Sequence, residues 1–384
     1  MVIRLAEVRA LQARHVAGLM TGTSMDGLDV ALCRIEPGPP FAWELLAFET
    51  VAPPEELRRE LLALRRADVA GIARWHVQLG RFFADALGEV LARHPVEPHL
   101  IGSHGQTIYH EHGLTTLQIG EPSALAERFG CPVVSDFRHN DIAAGGCGAP
   151  LVPYVDLRLL GRPDRAVLAV NIGGISNFTA VPRLPADVDD LIGMDCGPGN
   201  MVLDRLAEVF SGGHLKCDVD GRFAAAGRVR DDLFRELAEH RFFRAPPPKS
   251  AGREQFGHAY VDDLLALVRP ADDRDWFDLF ATAAELTAFS IDEAYRRFVL
   301  PRLQVDEVVV SGGGARNPVL MARLARRFEP VPVRGSDAHG LSIDAKEAIA
   351  FAVFASERVD ERPANVPAVT GARRRVLLGK ITES

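Results

Sequence analysis

The sequence predicts an α/β protein of two domains, and three observations predict it. A chain of 384 residues exceeds what one hydrophobic core usually organises, and 47% hydrophobic residues are enough to fill two. A strand, a glycine-rich turn and a second strand open the chain, and the same series recurs after residue 150. Text with helical spacing lies between and after these strands, the mixture that α/β architecture requires.

Residues 16–20, 28–35 and 43–51 read as consecutive strands joined by turns. Residues 55–66, opened by Pro53 and Pro54, set Leu57, Leu61 and Leu64 among charges at helical spacing. Residues 69–94 follow the same pattern until Pro95 ends them. A strand at 100–102 precedes a polar loop, then come a short helix at 124–129 and a strand at 132–135. After a loop at 140–150, residues 166–170 form a buried strand, 171–174 a glycine turn and 176–181 another strand. The recurrence is either a duplication or two unrelated hairpins of similar spacing. From Asp204 onward helices dominate, with a proline-rich break at 245–250 and a long amphipathic helix at 278–298. A strand at 307–310 runs into Ser311-Gly312-Gly313-Gly314, Asn317-Pro318 opens a helix to Phe328, and residues 343–357 form a further helix. The expected borders put 1–142 with 363–384 in the first domain and 143–362 in the second.

Bulk composition excludes several classes. With a net charge of −8 there is no broad basic surface, so nucleic acid is not an expected partner. An anionic substrate such as ATP must then be held locally, by backbone amides and a metal. The five cysteines are odd in number and form no C-x-x-C pair, which argues for reduced thiols in a cytoplasmic setting and against a disulfide framework or zinc site. Residues 1–14 alternate apolar and charged, and no run of eighteen apolar residues occurs, so neither a signal peptide nor a membrane span is expected.

Three glycine turns carry the chemistry. Gly22 and Gly27 permit left-handed backbone, and Thr23, Ser24 and the amides through Met25 and Asp26 can donate to phosphate oxygens. No Gly-Lys-Ser/Thr follows, so this is not a Walker loop; the turn lies between strands, as the phosphate turns of actin-like ATPases do. A plain surface hairpin is the competing reading. Asn171, Gly173 and Gly174 supply the matching second turn, and Gly312, Gly313 and Gly314 before Asn317 allow close approach of a flat ligand or of phosphate at a helix start. The competing reading of that third turn is a tight link from strand to helix. Asp136, Arg138, Asp141 and Asp195 are the acid and base candidates. Asp195 precedes Gly197-Pro198-Gly199 and is expected at a strand end, held by a stiff turn, as either a general base or a turn aspartate. His104, His110 and His112 fit a loop better than a zinc site.

With these residues stand further ordered motifs: Gly18-Leu19-Met20-Thr21-Gly22-Thr23-Ser24-Met25-Asp26-Gly27, Ser103-His104-Gly105-Gln106-Thr107, Gly148-Ala149-Pro150, Pro247-Pro248-Lys249-Ser250 and Asp344-Ala345-Lys346-Glu347. Together they make the chain similar, over nearly its whole length, to the anhydro-N-acetylmuramic acid kinases. The resemblance implies a two-domain actin-like ATPase (sugar kinase) fold with a cleft between the domains, a homodimer, and use of ATP and Mg²⁺. It implies hydrolytic opening of 1,6-anhydro-N-acetylmuramic acid with phosphorylation at O6, in cell-wall peptidoglycan recycling. On this reading Asp195 activates the attacking water. The three glycine turns with Asn171 and Asn317 hold ATP, Asp26 aids the metal, and His104, Gln106, Thr107, Asp136, Arg138 and Glu347 bind the sugar. An ordinary hexose or N-acetylhexosamine kinase, and a non-catalytic ATP-switched protein of the same fold, are the alternatives. Met20 stands where many such kinases carry a metal-binding aspartate. Cys147, Cys196 and Ala251 replace Gln, Thr and Thr of the family pattern, each with loss of a hydrogen-bonding group.

Overall fold

The computed structural model describes residues 2–22, 27–63 and 68–384. Thr23, Ser24, Met25 and Asp26 of the first turn, and the end of the expected helix 55–66, lie outside the described residues. The strands are β1 Arg14–Thr21, β2 Leu28–Glu36, β3 Ala42–Val51, β4 Leu100–Ser103, β5 Gln106–Glu111, β6 Thr115–Ile119, β7 Val133–Ser135, β8 Val167–Ile172, β9 Ile175–Val181, β10 Ile192–Pro198, β11 Glu307–Ser311, β12 Val333–Gly335 and β13 Lys380–Thr382.

The chain divides into two compact units, Met1–Leu159 with Ala345–Ser384, and Leu160–Asp344. The expected borders at 142 and 363 are therefore corrected. The segments assigned to the wrong side are fastened to the first unit by Arg14, which donates to Ser356 Oγ at 3.1 Å and to Asp360 at 2.5 Å, and by Arg138, which donates to the Gly148 carbonyl at 2.9 Å; they are tied to each other by the pairs Arg158–Glu357 at 2.7 Å and Lys346–Asp156 at 2.6 Å. The second pair is buried, so separating its members strands a charge, a loss of about 3–5 kcal/mol for such pairs.

The first unit's sheet runs β13-β7-β4-β1-β2-β3. Strands β1, β2 and β3 form an antiparallel meander, β4 and β7 run parallel on the other side of β1, and β13 closes the edge antiparallel to β7. The second unit's sheet runs β10-β9-β8-β11-β12, again an antiparallel meander with two parallel strands beyond its first member. Strand for strand, β1, β2, β3, β4 and β7 repeat as β8, β9, β10, β11 and β12. This order decides the open question in favour of duplication, and it is the doubled plan expected of an actin-like fold. In the second unit a glycine turn, residues 173–174, joins the central strand to the second one.

Each core follows from alternation along these strands. In the first unit Ala17, Leu19, Val30, Leu32 and Ile101 meet Leu79, Phe83, Leu87 and Val90 of the helix Val69–Arg93. The other face takes the helix Lys346–Val359, whose backbone lies so close that a Cβ on Gly18 would stand 2.0 Å from the Ala348 carbonyl oxygen and one on Gly102 2.1 Å from that of Phe351. Only glycine fits at both. In the second unit Leu168, Val170, Phe178, Met194 and Val308 meet the helices Asn200–Phe210 and Asp273–Ala294. The expected polar loop after β4 is instead the hairpin β5–β6, with His110 on its first strand.

Candidate functional site

In the second unit the glycine-bearing segments 171–174, 197–200 and 312–314 converge. The helix Asn200–Phe210 begins against the β8–β9 turn: the Asn200 N–H donates to the Gly173 carbonyl at 2.7 Å, and the Gly199 and Met201 N–H groups donate to that of Gly174 at 2.9 and 3.1 Å. A Cβ on Gly199 would sit 2.2 Å from the Gly173 oxygen, so this approach requires glycine. The turn's carbonyls are thus tied back, while the Gly173 and Gly174 N–H groups make no hydrogen bond among the described residues. That is the polarity an anion needs.

Gly312, Gly313 and Gly314 pack on the same turn for different reasons. A Cβ at Gly312 would stand 2.6 Å from Asn171 Oδ1, and one at Gly314 2.3 Å from Ile172 Cγ2, so both are glycine to fit against the protein. At Gly313 the nearest atom is Asn200 Nδ2 at 3.5 Å, leaving bare backbone beside open space. Asn317 spends its Oδ1 on the N-cap of the helix Pro318–Phe328, accepting from Val319 N at 3.0 Å and Leu320 N at 3.2 Å. Gly313 and Asn317, with Asn200 and Asp204, border a cavity of about 410 Å³, a size suited to a small ligand.

Asp195 stands in the middle of β10, not at its end as expected. The register with β9 slips just after it, Asp195 pairing with Asn177 and Gly197 with Ser176. Such a bulge re-aims side chains, and here it sends Cys196 into the core while Asp195 meets the loop before the helix Arg253–Phe256. Asp195 Oδ2 accepts from Ser250 Oγ at 3.1 Å and from the Ala251 N–H at 2.8 Å. The neighbouring Lys249 donates to the Phe242 carbonyl at 3.0 Å with its ammonium over the rings of Phe242 and Phe298. Burial lowers the Lys249 pKa against the pull of Cys196 and Asp195.

In the first unit Arg138 is the centre. It donates through Nε and NH2 to His104 Nε2 at 3.1 and 3.0 Å, and through NH1 to the Gly148 carbonyl at 2.9 Å. Guanidinium only donates, so His104 Nε2 carries a lone pair and Nδ1 the proton. Burial, and then the Arg138 charge, hold His104 well below the ordinary histidine range and keep it neutral. Glu347, exposed on the first turn of the helix Lys346–Val359, lies within the electrostatic reach of Arg138, Asp29 and Lys346.

The remaining candidates of the first unit have partners of their own. The buried Gln106 amide donates to the Gly22 carbonyl at 3.2 Å, fixing where the first turn begins, and Thr107 Oγ1 accepts from Gln118 at 3.1 Å. Asp136, with a left-handed φ of 53°, pairs with His139 and Lys380, both at 2.5 Å. Asp141, an acid or base candidate by sequence, is a fully buried structural anchor that accepts from Gly148 N, Asn365 Nδ2 and Thr370 Oγ1.

A family model for anhydro-N-acetylmuramic acid kinase matches residues 14–384. The chain belongs to the anhydro-N-acetylmuramic acid kinase family. A relative of that name from Caldanaerobacter subterraneus subsp. tengcongensis is 40% identical over 99% of each chain. One from Salinibacter ruber is 42% identical over 96% of each. A solved ROK family glucokinase from Streptomyces griseus, in complex with glucose and AMPPNP, aligns with 89% of this chain and 99% of its own at 12% identity and a TM-score of 0.37. The fold rests on the strand order and not on so loose a likeness.

Against the family pattern the replaced residues read differently in three dimensions. Ala251 serves Asp195 with its backbone N–H, which the side chain does not alter. Cys196 is fully buried, and burial pushes its thiol well above the usual range, so it behaves as a small apolar group. Cys147 is half-buried and its N–H donates to the Thr370 carbonyl at 2.8 Å. Sequence reasoning missed Ser250 as a partner of Asp195, and it missed Asp204 as a lining residue of the cavity. The signal for Asp204 was an acid four residues after Asn200 amid Val202, Leu203 and Leu206, which puts both polar groups on one face of a helix.

Proposed function

We propose that this family member uses ATP to phosphorylate 1,6-anhydro-N-acetylmuramic acid at O6 while water opens the anhydro bridge, giving N-acetylmuramic acid 6-phosphate for peptidoglycan recycling. The observation that carries this reading beyond family membership is Asp195, which sits at a bulge and whose Oδ2 accepts from Ser250 and Ala251. Asp195 takes the proton of a water as its oxygen bonds to the anomeric carbon; the bond from that carbon to O6 breaks, and O6 receives the γ-phosphoryl group as the bond from that phosphorus to the β,γ-bridging oxygen breaks and ADP leaves. Transfer to phosphorus relieves the charge on a sugar alkoxide that would otherwise leave poorly. The first turn, from Gly22 to Gly27, and the free amides of Gly173 and Gly174 hold the phosphates. Neutral His104, with Arg138, Gln106, Thr107, Asp136 and Glu347, forms the sugar-binding set, in which the Arg138 guanidinium suits the substrate's carboxylate.

Magnesium would be held by phosphate oxygens and Asp26, supplying charge neutralisation at the transferring group. Among the described residues no three His, Cys, Asp or Glu side chains gather as a metal cage. The donor chemistry fits an ion that takes one or two carboxylates and keeps its remaining ligands from substrate and water. The reading includes a cytoplasmic enzyme, supported by five unpaired cysteines. It also includes a homodimer, which light scattering on the purified chain tests.

The test is turnover in H₂¹⁸O with ATP and the anhydro-sugar. The expected product is the 6-phosphate with ¹⁸O at C1, and Asp195→Asn lowers kcat by about 10²–10⁴-fold. ATP turnover indifferent to the sugar, a product without solvent oxygen, or an Asn variant as fast as wild type would each overturn the reading.

A further inference from the structure

Lys249 ends the proline-rich stretch that leads into the two donors of Asp195, Ser250 and Ala251. A lysine stem is flexible and its ammonium strongly hydrated, so on such a stretch the side chain ordinarily stays in water. Here it is half-buried and fixed. Its Nζ donates to the Phe242 carbonyl at 3.0 Å and stands 4.6 Å from the centre of the Phe242 ring and 5.2 Å from that of Phe298. Two aromatic faces and a carbonyl oxygen are the surroundings of a cation. Withdrawing an ammonium from water still costs free energy, and a carboxylate within electrostatic reach offsets that cost.

The charges around Lys249 identify that carboxylate. Burial lowers the Lys249 pKa; Cys196 and Asp195 of β10 oppose the change, Arg297 adds to it, and Glu293 opposes it. Glu293 and Arg297 pair with each other at 2.5 Å, so their fields at Lys249 work against one another. Burial, and then Asp195, push the Cys196 thiol well above the usual range, so it is uncharged at neutral pH. Among these groups Asp195 is left as the anion that balances the ammonium. We propose that Lys249 is a positioning residue for the reaction: its caged ammonium is the fixed counter-charge of Asp195, and its backbone leads directly into the Ser250 and Ala251 donors to that carboxylate. The inference rests on the reading of Asp195 as the base that activates water. Attraction between the two is mutual, so the cation that Asp195 helps to keep charged keeps Asp195 charged in turn. A base must be ionised to accept a proton, and a fixed cation extends that state toward lower pH. Lys249 acts through Asp195, not on the sugar.

The experiment measures kcat and KM for the anhydro-sugar across about pH 5–9 in wild type, Lys249→Met, Lys249→Gln and Lys249→Arg, and repeats Lys249→Met in the Asp195→Asn background. Methionine keeps an apolar stem between the rings without the charge, and glutamine keeps a donor for the Phe242 carbonyl if methionine disturbs the fold. In both, the acid limb of kcat/KM is expected to move up by about one pH unit, a tenfold loss on the limb, whereas Lys249→Arg keeps the limb of wild type. ATP and the sugar titrate alike in every variant, so the displacement belongs to the enzyme. With Asp195→Asn present, Lys249→Met should change the residual kcat by less than about twofold, because no anion remains to be balanced. An acid limb that neither Lys249→Met nor Lys249→Gln moves overturns the inference, and so does a Lys249→Met loss of equal size with and without Asp195→Asn. Asp195→Asn alone as fast as wild type overturns instead the reading of Asp195 as the base.

Discussion

Asp141 in the first unit and Asp204 in the second are both aspartates withdrawn from water, and the protein treats them in opposite ways. Asp141 is fully buried and its two oxygens take three donors, Gly148 N at 2.9 Å, Asn365 Nδ2 at 2.8 Å and Thr370 Oγ1 at 2.8 Å. It ties the loop before Pro150 to the segment that follows the helix Lys346–Val359. Asp204 has no such donor among the described residues and faces a cavity. A carboxylate served by the protein is a fastener, and one left unserved bears the cost of its burial. In a sequence the two are the same letter.

The largest effect expected from this contrast is in stability. Asp141→Ala leaves two or three buried donors without an acceptor, and urea unfolding should show a loss of about 3–5 kcal/mol. A loss below about 1 kcal/mol would mean that water replaces the carboxylate, and Asp141 would no longer count as a fastener.

The strand series shows what was readable and why. The strands β1, β2, β3, β8, β9 and β11 carry runs of apolar residues long enough to betray them, whereas β10, with Gly193, Asp195 and Gly197 among its seven residues, showed itself only as the strand end expected at Asp195. The strands β12 and β13 are three residues long and owe their existence to neighbours, which no local pattern reports. The β5–β6 hairpin was taken for a loop because His104, His110 and His112 and the polar residues around them mask its alternation. At the site, glycine and Asp195 stood out by type and spacing. The donors to Asp195 did not, since one of them is the backbone of Ala251, and Asp204 did not, since its singularity is the lack of a partner. Partnership is a property of tertiary packing, which also explains why the domain borders were misjudged: the pairs Arg158–Glu357 and Lys346–Asp156 join residues nearly two hundred positions apart.

A second way to sharpen the contrast is to remove the charge of Asp204 and keep its shape. Burial raises its pKa in the folded chain from 3.8 to about 7. The folded state therefore holds a proton that the unfolded state releases, and stability falls as pH rises from about 4 to about 7, remaining low above that. Asp204→Asn removes the loss, so without nucleotide it should be more stable than wild type by about 2–3 kcal/mol at pH 8 and about equal to it below pH 4. This is opposite in sign to Asp141→Ala. Equal or lower stability of the Asn variant at pH 8 would show that Asp204 is already served by groups within the fold.

The smallest effect concerns the carboxylate of Asp195. Its Oδ2 accepts from a side chain at Ser250 and from the backbone N–H of Ala251. The resemblance places a threonine at position 251 and suggests that its loss weakens the site. The geometry says otherwise, because every residue except proline offers the same N–H there. Ala251→Thr should leave kcat and KM within about twofold of wild type and stability within about 0.5 kcal/mol. A rise in kcat of tenfold on restoring the threonine would show that a hydroxyl at this position completes the orientation of Asp195, and that this chain works with a weakened base.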